Sequence, residues 1–502
     1  MWLGIDLGTQ SVKAVVMRPD GAIAATQSQP YPVCSPQPGW AETPPQDWWR
    51  AVGQAVHAVM QQVSPRAIQG IGLSGQMHGV VLCDGDGEPL RPAILWADGR
   101  SHAQLSTYHP LSADLRHGLA NPIVTGMAGP TLLWLRQHEP DLYQQARWAL
   151  QPKDWLRFRL TGQVATDPSD ASGTLLYDLV GDRWHDPVLT HVGLRQDWLP
   201  PILPATALAG ALTAEAAEHV GLPAEIPVAV GAADTAAAAL GSGLITPGAV
   251  QMTIGTGAQI IVLCPEPIPD PAGCTHLFRS ALPQQWYRLA AIQNAGLALD
   301  WARHIVQMDW PQVYEEAFAV LPGCEGLIFL PYLTGDRTPN LNPNLRGAWI
   351  GLGLHHRRAH LMRAALEGVA FSLAQGWQAL QATGVSAKTL RLAGGGTTHP
   401  QWQQLLADVL QRPLYPIHYP DASARGAALL AQLAVEATPE PQETNAASLA
   451  KRLAAFAEGE TAVAPATCIQ PQPIPPDLVR AYASFCQQPR PVADGRSDGL
   501  GG

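Results

Sequence analysis

A short pattern occurs twice in the sequence, once in each half, and it limits the architecture more than any other feature. Residues 3–16 and 251–262 each combine an apolar strand, a tight Gly-Thr turn and a second apolar strand. Gly8 in the first copy and Gly255 in the second are 247 residues apart (255 − 8), close to half of the 502-residue chain. Two unrelated β-hairpins would give the same pattern. The repeat alone therefore favours two related halves and two ordinary hairpins equally.

The length and the periodicity of the chain predict more than one α/β unit. A chain of 502 residues is too long for one ordinary domain, and its 46% of hydrophobic residues can fill several cores. Short aliphatic runs such as 67–74 alternate with helical stretches such as 131–139, which is typical of an α/β fold. We expect an N-terminal unit at 1–243, a C-terminal unit at 244–435 and a C-terminal extension at 436–502 that becomes a loose tail after residue 489.

The charge pattern excludes one class of partner and one kind of phosphate site. The chain has 31 Lys and Arg against 41 Asp and Glu, and only four of the basic residues are lysines. An acidic chain without a basic cluster lacks the electrostatic footprint of a nucleic-acid binder. None of the lysines lies in a Gly-Lys-Ser/Thr triplet, so a Walker A loop is absent. Any ATP site in this chain must hold phosphate by other means.

Cysteine usage and the apolar segments predict a cytoplasmic protein without a membrane partner. The seven cysteines are scattered and never form a Cys-x-x-Cys pair, which indicates a reducing compartment and no zinc site. The N-terminus enters an apolar strand at once, without a basic region that would mark a leader. One apolar stretch, 226–244, contains Pro227 and Asp234, so we interpret it as strand, loop and buried helix rather than a membrane span.

The two Gly-Thr turns are candidate phosphate sites. A Gly-Thr-polar turn presents backbone N–H groups and a hydroxyl in a concave nest that suits phosphate oxygens. Two such turns that face each other would hold a triphosphate from both sides. The candidate residues are Gly8, Thr9 and Gln10 in the first turn and Gly255, Thr256 and Gly257 in the second. Asp6, at the end of the first strand, could face the accompanying Mg²⁺, which prefers carboxylate oxygens; alone it would be an ordinary turn acid.

Two further motifs belong to the same chemistry. Gly394, Gly395 and Gly396 follow a predicted strand, and three glycines allow a flat ligand such as a nucleotide to approach the backbone, although they often form only a turn. Asp234 is the only charged residue between Glu225 and Glu266, at a predicted junction of strand and helix. Such a carboxylate can cap the helix, accept a proton from a substrate hydroxyl, or do both.

Residues 74–79 form a polar loop between two apolar strands. Gln76, Met77 and His78 bring an amide, a thioether and an imidazole together, a combination that suits a neutral polyol better than an anion; the alternative is a plain polar connection. His355 and His356 are followed by a third histidine at 360, but no carboxylate accompanies them in a metal-ligand pattern. We interpret these histidines as a solvated helix start.

In this order, the motifs resemble those of the FGGY carbohydrate kinases, from residue 2 to about residue 433. The most specific matches are 4–9, 75–79, 91–100, 132–140, 152–155, 329–339 and 363–370. The resemblance implies two actin-like (ribonuclease H-like) domains, with sugar bound mainly by the N-terminal unit, ATP by the C-terminal unit, and both substrates in the cleft between them. It also implies that Asp234 is the general base and that Asp6 supports Mg²⁺ and activity.

The resemblance extends to the rest of the site. It implies that Met77 and His78 contact the sugar, as in members that phosphorylate D-xylulose. Trp301 and the three glycines at 394–396 match the adenosine side. Asp98 and Thr235 are further sugar-site positions, and Thr235 stands where those members commonly have Asn.

The expected activity is ATP-dependent phosphorylation of D-xylulose to D-xylulose 5-phosphate. Because of Thr235, a kinase for D-ribulose or another polyol is the alternative within the class. An actin-like ATPase and a sugar sensor are alternatives of other classes, disfavoured by the loop at 74–79 and by the presence of both Asp6 and Asp234. The expected partners are sugar and ATP, and a homodimer remains open.

Overall fold

The computed structural model describes residues 1–436 and 468–488, and a seven-stranded mixed sheet forms the centre of its N-terminal part. In spatial order its main strands are Leu208–Ala211, Pro227–Ala229, Gly70–Gly75, Trp2–Leu7, Ser11–Met17 and Ile23–Pro30, and Ala232–Ala233 also pairs with Gly70–Gly75. Ser11–Met17 pairs antiparallel with Trp2–Leu7 on one side and with Ile23–Pro30 on the other. Gly70–Gly75 lies parallel to Trp2–Leu7 on the other side.

A six-stranded second sheet repeats this arrangement. Its order is His276–Arg279, Trp286–Ile292, Ala258–Cys264, Val250–Ile254, Leu390–Ala393 and Leu414–Pro416. The strand Val250–Ile254 is antiparallel to its successor and parallel to a strand from much later in the chain, as is Trp2–Leu7 in the first sheet. The two Gly-Thr hairpins therefore occupy equivalent places, and the expected α/β fold of two related units is confirmed.

Helices pack against both sheets, and short two-stranded sheets form within the connecting segments. The helices are Pro45–Met60, Ala113–Leu119, Ala128–His138, Pro140–Gln145, Pro152–Thr161, Pro168–Ala171, Asp186–Val192, Ala214–Val220, Asp234–Gly241, Gly296–Ile305, Trp310–Gln312, Arg358–Ala382, Pro400–Leu410, Ala422–Glu436 and Pro476–Gln487. The two-stranded sheets pair Glu42–Thr43 with Ala93–Ile94, Val81–Cys83 with Trp148–Leu150, Tyr177–Asp178 with Arg183–Trp184, and Ile328–Leu330 with Ala348–Ile350. Among the described helices, none is long and apolar enough to cross a bilayer.

The helix Ala422–Glu436, here called the crossing helix, returns from the second sheet to pack on the first. It covers Trp2–Leu7 and Gly70–Gly75 and lies beside Asp234–Gly241. The sequence boundaries assign it to the C-terminal unit. Its Ala-rich sequence fits against either sheet, so only the three-dimensional path of the chain reveals the partner. Glycines in the strands and helices make the close approach sterically feasible.

We predict that Gly426→Ala destabilises the protein although it lies within the crossing helix. Alanine favours a helix by about 1 kcal/mol over glycine. A Cβ on Gly426 would overlap the carbonyl oxygen and carbon of Ala237, and overpacking of this kind costs roughly 3 kcal/mol. The free energy of unfolding, measured with denaturant, should therefore fall by about 2 kcal/mol. Gly85→Ala, where a Cβ would meet open space, is the control, and equal unfolding curves for both variants would refute the packing argument.

The described part of the C-terminal extension belongs to the second core. Ile469 bridges to Leu414 at the sheet edge, and the helix Pro476–Gln487 buries Leu478 and Phe485 against the second core. Residues 437–467 and the predicted loose tail from 489 lie outside the described residues.

A second set of contacts joins the two units at the edge strand His276–Arg279. The amide of Asn121 donates to the carbonyl oxygen of Leu277 at 2.7 Å and accepts from its N–H at 3.1 Å. The N–H of Arg279 donates to the Ser172 hydroxyl at 3.1 Å. This edge of the second sheet is thus hydrogen-bonded directly to the first unit.

Candidate active site

Three parallel strands of the first sheet end at the same edge and place the principal candidate residues side by side. Leu7 and Ala233 are both in register with Gly75. Asp6 and the first Gly-Thr turn therefore lie on one side of the loop after Gly75, and Asp234 lies on the other. The alignment follows from the topology, because the carboxyl ends of parallel strands meet at one sheet edge.

Asp6 is a partly exposed carboxylate in an acidic environment. Its Oδ1 accepts a hydrogen bond from the Ser74 hydroxyl at 3.1 Å. Burial, followed by the charge of Asp234, raises the pKa of Asp6 to about 7. Lys13 is opposite Asp6 in the hairpin register, and its ammonium pairs with Asp421 at 2.7 Å. A carboxylate whose proton affinity is raised by a neighbouring carboxylate would gain from a nearby cation.

The first Gly-Thr turn is held from three sides. The N–H of Gly8 donates to the carbonyl oxygen of Ser11 at 3.1 Å. The Gly8 carbonyl oxygen accepts from the Tyr31 hydroxyl and from the Gln76 amide, the latter at 3.4 Å. The Thr9 hydroxyl accepts from the Trp96 indole N–H at 2.9 Å. Gln76 therefore supports the turn in this structure, and Gln10 at its tip is exposed.

Asp234 is the first residue of the helix Asp234–Gly241, and Ala233 occupies the N-cap position. Its Oδ1 accepts from the Thr235 N–H at 2.5 Å and from the Thr235 hydroxyl at 3.1 Å. Burial raises the pKa of Asp234 to about 6, and the hydrogen bonds from Thr235 oppose that rise. The carboxylate thus has a proton affinity close to that needed by a general base at neutral pH.

His78 is held as a neutral ring in one tautomer. Its Nδ1 lies 2.6 Å from the carbonyl oxygen of Gly173, and because a carbonyl only accepts, Nδ1 carries the proton. Burial, with a contribution from the charge of Arg337, lowers the pKa of His78 to about 4. At neutral pH Nε2 is therefore an acceptor, suited to a hydroxyl. Beside it, the Tyr287 hydroxyl of the second sheet donates to the Met77 sulfur at 3.7 Å.

The second Gly-Thr turn and the glycine triplet form one surface on the second sheet. Thr253 is in register with Ala393 in parallel strands, so Gly394 begins beside the turn. Gly394 has φ +100°, and a Cβ there would collide with the backbone of Ile254. The Thr256 carbonyl oxygen accepts from the N–H of Leu297 at 2.9 Å, which anchors the turn to the start of the helix Gly296–Ile305. Gly255, Thr256, Gly395 and Gly396 are exposed, and Gly257 is partly exposed.

Trp301 lies on the helix that follows the second turn. Its ring is exposed and stacks on Trp349 with centroids 5.6 Å apart. An exposed, stacked indole near glycine backbone offers a face to a flat aromatic ligand. The geometry agrees with a nucleotide-side position, which stays a prediction.

Two predicted sugar contacts have their polar atoms engaged within the protein. Asp98 is buried, and its carboxylate accepts from the N–H of Ala41 at 2.6 Å and from the Arg100 guanidinium at 2.7 and 2.8 Å. These bonds indicate that Asp98 fixes the loop that carries Trp96. The Thr235 hydroxyl donates to the Asp234 carboxylate. The sugar-contact roles of Asp98 and Thr235 therefore remain predictions.

Sequence reasoning did not identify the segment 167–174, which fixes Ala233 and His78 by hydrogen bonds. The Ser169 hydroxyl accepts from the N–H of Ala233 at 2.9 Å and donates to Asp167 at 2.5 Å. Gly173 provides the carbonyl oxygen that fixes His78. Behind this segment, the buried ammonium of Lys153 pairs with Asp167 at 3.1 Å. In the sequence, the only sign of this support was the Lys153-Asp154 pair at a predicted helix start, and the sequence does not reveal that both side chains are buried.

A histidine cluster lies elsewhere on the second unit, and the structure adds a carboxylate that the sequence did not suggest. His355 Nε2 is 3.2 Å from the Glu325 carboxylate, and His356 is the third member of the group. However, His356 Nδ1 accepts the N–H of Gly353 at 2.8 Å, so the neutral ring carries its proton on Nε2. The cluster is accounted for by a hydrogen-bonded turn and an exposed contact between His355 and Glu325.

Comparison with known proteins gives matches along nearly the whole chain. The model of the FGGY family of carbohydrate kinases, N-terminal domain, matches residues 1–241, and that of the C-terminal domain matches residues 250–435. A xylulose kinase from Escherichia coli (strain K12) is 36% identical over 442 residues, 88% of this chain and 91% of that protein. A xylulose kinase from Bacillus subtilis (strain 168) is 34% identical over 437 residues, 86% of this chain and 87% of that protein. The crystal structure of a xyloylose kinase from Brucella ovis aligns with a TM-score of 0.85 at 33% identity and covers 97% of each chain.

Proposed function

The chain belongs to the FGGY family of carbohydrate kinases, and on that premise we propose that it transfers the γ-phosphoryl group of ATP to the terminal hydroxyl of D-xylulose. The product would be D-xylulose 5-phosphate, with ADP as the leaving group. The similarity to xylulose kinases from two bacteria supports this choice of sugar. Free thiols at all seven cysteines support action in the cytosol.

One observation carries the mechanism: the Asp234 carboxylate, with its pKa raised to about 6, lies at the same sheet edge as the neutral acceptor His78 and the Gly8 turn. His78 Nε2 accepts a sugar hydroxyl and orients the substrate. Asp234 then takes the proton from the terminal hydroxyl as its oxygen bonds to the γ-phosphorus. The bond from that phosphorus to the bridging oxygen of ADP breaks. Phosphoryl transfer of this kind depends mainly on alignment and charge stabilisation.

The carboxylate of Asp6 fits a magnesium ion. It offers the oxygen donors that Mg²⁺ prefers, and the nearby negative charge of Asp234 favours a cation at this place. Mg²⁺ bound with ATP would neutralise phosphate charge, and Asp6 would hold it directly or through water. The Gly8 and Gly255 turns would supply N–H groups to the phosphates, and Trp301 with the glycine triplet would receive the adenosine.

The raised pKa of Asp234 predicts that activity is lost on the acid side at a higher pH than an ordinary aspartate would give. The reaction needs the ionised carboxylate, so kcat/KM for the sugar should fall as the pH drops through about 6. An ordinary Asp would lose activity only near pH 4. Initial rates between about pH 3 and pH 8 at saturating ATP would cover both possible positions of this acid limb. An acid limb centred near pH 4 would contradict the assignment of Asp234 as the base.

ADP release by the purified protein tests the proposed function. With Mg²⁺ and ATP, D-xylulose should accelerate ADP release strongly, whereas D-ribulose, glycerol and the sample without sugar should give less. A larger response to D-ribulose would move the substrate to the alternative ketose. Equal release with and without every sugar would overturn the kinase proposal in favour of an ATPase, and no release with any sugar would favour a sensor.

A further inference from the structure

Arg337 is a residue of the second unit, on a well-anchored stretch of backbone, that the mechanism above does not use. It lies on the segment between the strands Ile328–Leu330 and Ala348–Ile350. Two residues before it, the carbonyl oxygen of Gly335 accepts from Asn294 at 2.7 Å. The following residue, Thr338, donates its N–H to Ala291 at 2.9 Å and its hydroxyl to Cys274 at 2.8 Å. Hydrogen bonds on both sides therefore fix the backbone position of Arg337.

The guanidinium lies across the cleft over residues of the first unit. Its central carbon is 5.4 Å from the centroid of the Trp96 ring, and Trp96 in turn donates to Thr9 of the first turn. Its charge contributes to lowering the pKa of His78, after burial, and it does the same for His276. The next residue, Thr338, bonds to Cys274, two residues before His276. The His276 ring stacks on Phe278, whose centroid lies 5.9 Å from that of the His78 ring. The segment that carries Arg337 is therefore attached on the His78 side of the second unit.

Within the described residues, this partly buried cation lacks the protein partners that other arginines of the chain have. Within the residues 1–436 and 468–488, no hydrogen bond or ion pair is made by its guanidinium. Arg279, from the same unit, pairs with Asp182 at 2.9 Å, and Arg100 is bidentate with Asp98. Burial lowers the pKa of Arg337, as expected for a desolvated charge. A guanidinium has five N–H donors and no acceptor, so a substrate group that binds it must accept hydrogen bonds.

The substrate chemistry supplies such an oxygen. The furanose ring of a 2-ketopentose closes through the hydroxyl at C5, so this hydroxyl is free to accept a phosphoryl group only in the open-chain form. That form carries a carbonyl group at C2. A carbonyl oxygen only accepts hydrogen bonds, which makes it complementary to a guanidinium, whereas the His78 Nε2 acceptor is complementary to a hydroxyl.

We propose that Arg337 is a substrate-contacting, specificity-determining residue that donates hydrogen bonds to the C2 carbonyl oxygen of the open-chain ketose. This inference rests on the proposed function, because it assumes a ketose whose terminal hydroxyl lies at Asp234. It assigns the two units distinct parts of sugar recognition: the first unit orients the hydroxyls, and the second recognises the carbonyl.

The test compares D-xylulose with xylitol, which carries a hydroxyl in place of the carbonyl, for three variants. Arg337→Met should raise KM for D-xylulose by roughly 10- to 100-fold, the scale of a lost charge-assisted hydrogen bond, with a smaller change in kcat. The loss with xylitol should be several-fold smaller, and Arg337→Lys should recover part of the preference for the ketose. Arg346→Met, an exposed arginine of the same segment that donates only to loop carbonyl oxygens, should behave as the unchanged protein.

Several results would overturn the proposal. These are an equal loss of kcat/KM for both substrates, a loss confined to kcat, or no loss. Thermal unfolding of each variant separates a folding defect from a binding defect, and the lysine variant retains the test if the methionine variant is unstable. Calorimetric binding of D-xylulose without ATP distinguishes failure of the Arg337 proposal from failure of the proposed function. If the unchanged protein binds the sugar without phosphorylating it, the kinase proposal fails, and a Kd that does not change in Arg337→Met would then reject the role of Arg337.

Discussion

Asp234→Asn should lower kcat for sugar phosphorylation by roughly 10²- to 10⁴-fold, the range that general base catalysis contributes. The substitution keeps the size of the side chain and its Oδ1 acceptor for the N–H and hydroxyl of Thr235, so the helix start should remain intact. KM for D-xylulose should change little, since Asp234 acts mainly on the proton of the reacting hydroxyl. Steady-state ADP release with saturating ATP measures both constants.

The matched control is Asp86→Asn, an exposed aspartate in the turn after the strand Val81–Cys83. It should keep full activity. If Asp234→Asn retained more than about a tenth of the unchanged kcat, the base would have to be another group. The variant should also lose the acid limb near pH 6, which separates loss of the base from a general weakening of the site.

Lys153→Met should be the most destabilising of the substitutions considered, by about 3–5 kcal/mol. The Lys153 ammonium lies 2.7 Å from Asp154, 3.1 Å from Asp167 and 3.3 Å from Asp170, and all four side chains are fully buried. Burial opposes its charge, but the three carboxylates outweigh burial and raise the pKa of Lys153. Arg157, 3.0 Å from Asp154, would still pair with that carboxylate, but Asp167 and Asp170 would lose the Lys153 cation, and a buried charge without its partner costs more than the pair stabilises. Denaturant unfolding measures the loss.

The loss should depend on pH in a defined direction. Burial already raises the pKa of Asp170 well above its usual range, and removing Lys153 raises it further. A carboxyl group whose folded pKa is raised contributes stability below its unfolded pKa of about 4, and this contribution is lost as the pH rises. The deficit of Lys153→Met should therefore be smallest near pH 4 and grow toward pH 8. Lys388→Met, at an exposed lysine, is the control, and a deficit independent of pH would contradict the electrostatic account.

Much of the fold could be predicted because it depends on local patterns. The helical run at 131–139 is observed as Ala128–His138, and the strand at 67–74 as Gly70–Gly75. The Gly-Thr repeat alone left two related halves and two ordinary hairpins equally favoured, and the matching strand order of the two sheets supports the first. The path of the crossing helix Ala422–Glu436 could not be predicted, since it packs on Trp2–Leu7, Gly70–Gly75 and Asp234–Gly241, all far earlier in the chain.

The candidate site was predictable in its outline and less so in its hydrogen bonds. Asp6 was selected at a strand end, Asp234 at a junction of strand and helix, and His78 in the loop between two strands, and the parallel register brings these places together. The partners of Asp98 and the tautomer of His78 depend on Arg100 and Gly173, whose contacts arise only in the folded chain. Arg337 lies within a motif of the family resemblance, yet nothing local indicates that its charge lacks a partner.

Identification of the phosphorylated product tests the central claim most directly. The protein should be incubated with Mg²⁺, ATP and D-xylulose, and the products followed by phosphorus NMR with proton coupling. The account predicts one new phosphomonoester whose phosphorus couples to the protons of the terminal CH₂ group, formed in equal amount with ADP. ADP and inorganic phosphate without a sugar phosphate, or a phosphate on a secondary carbon, would contradict a cleft that presents the terminal hydroxyl to Asp234.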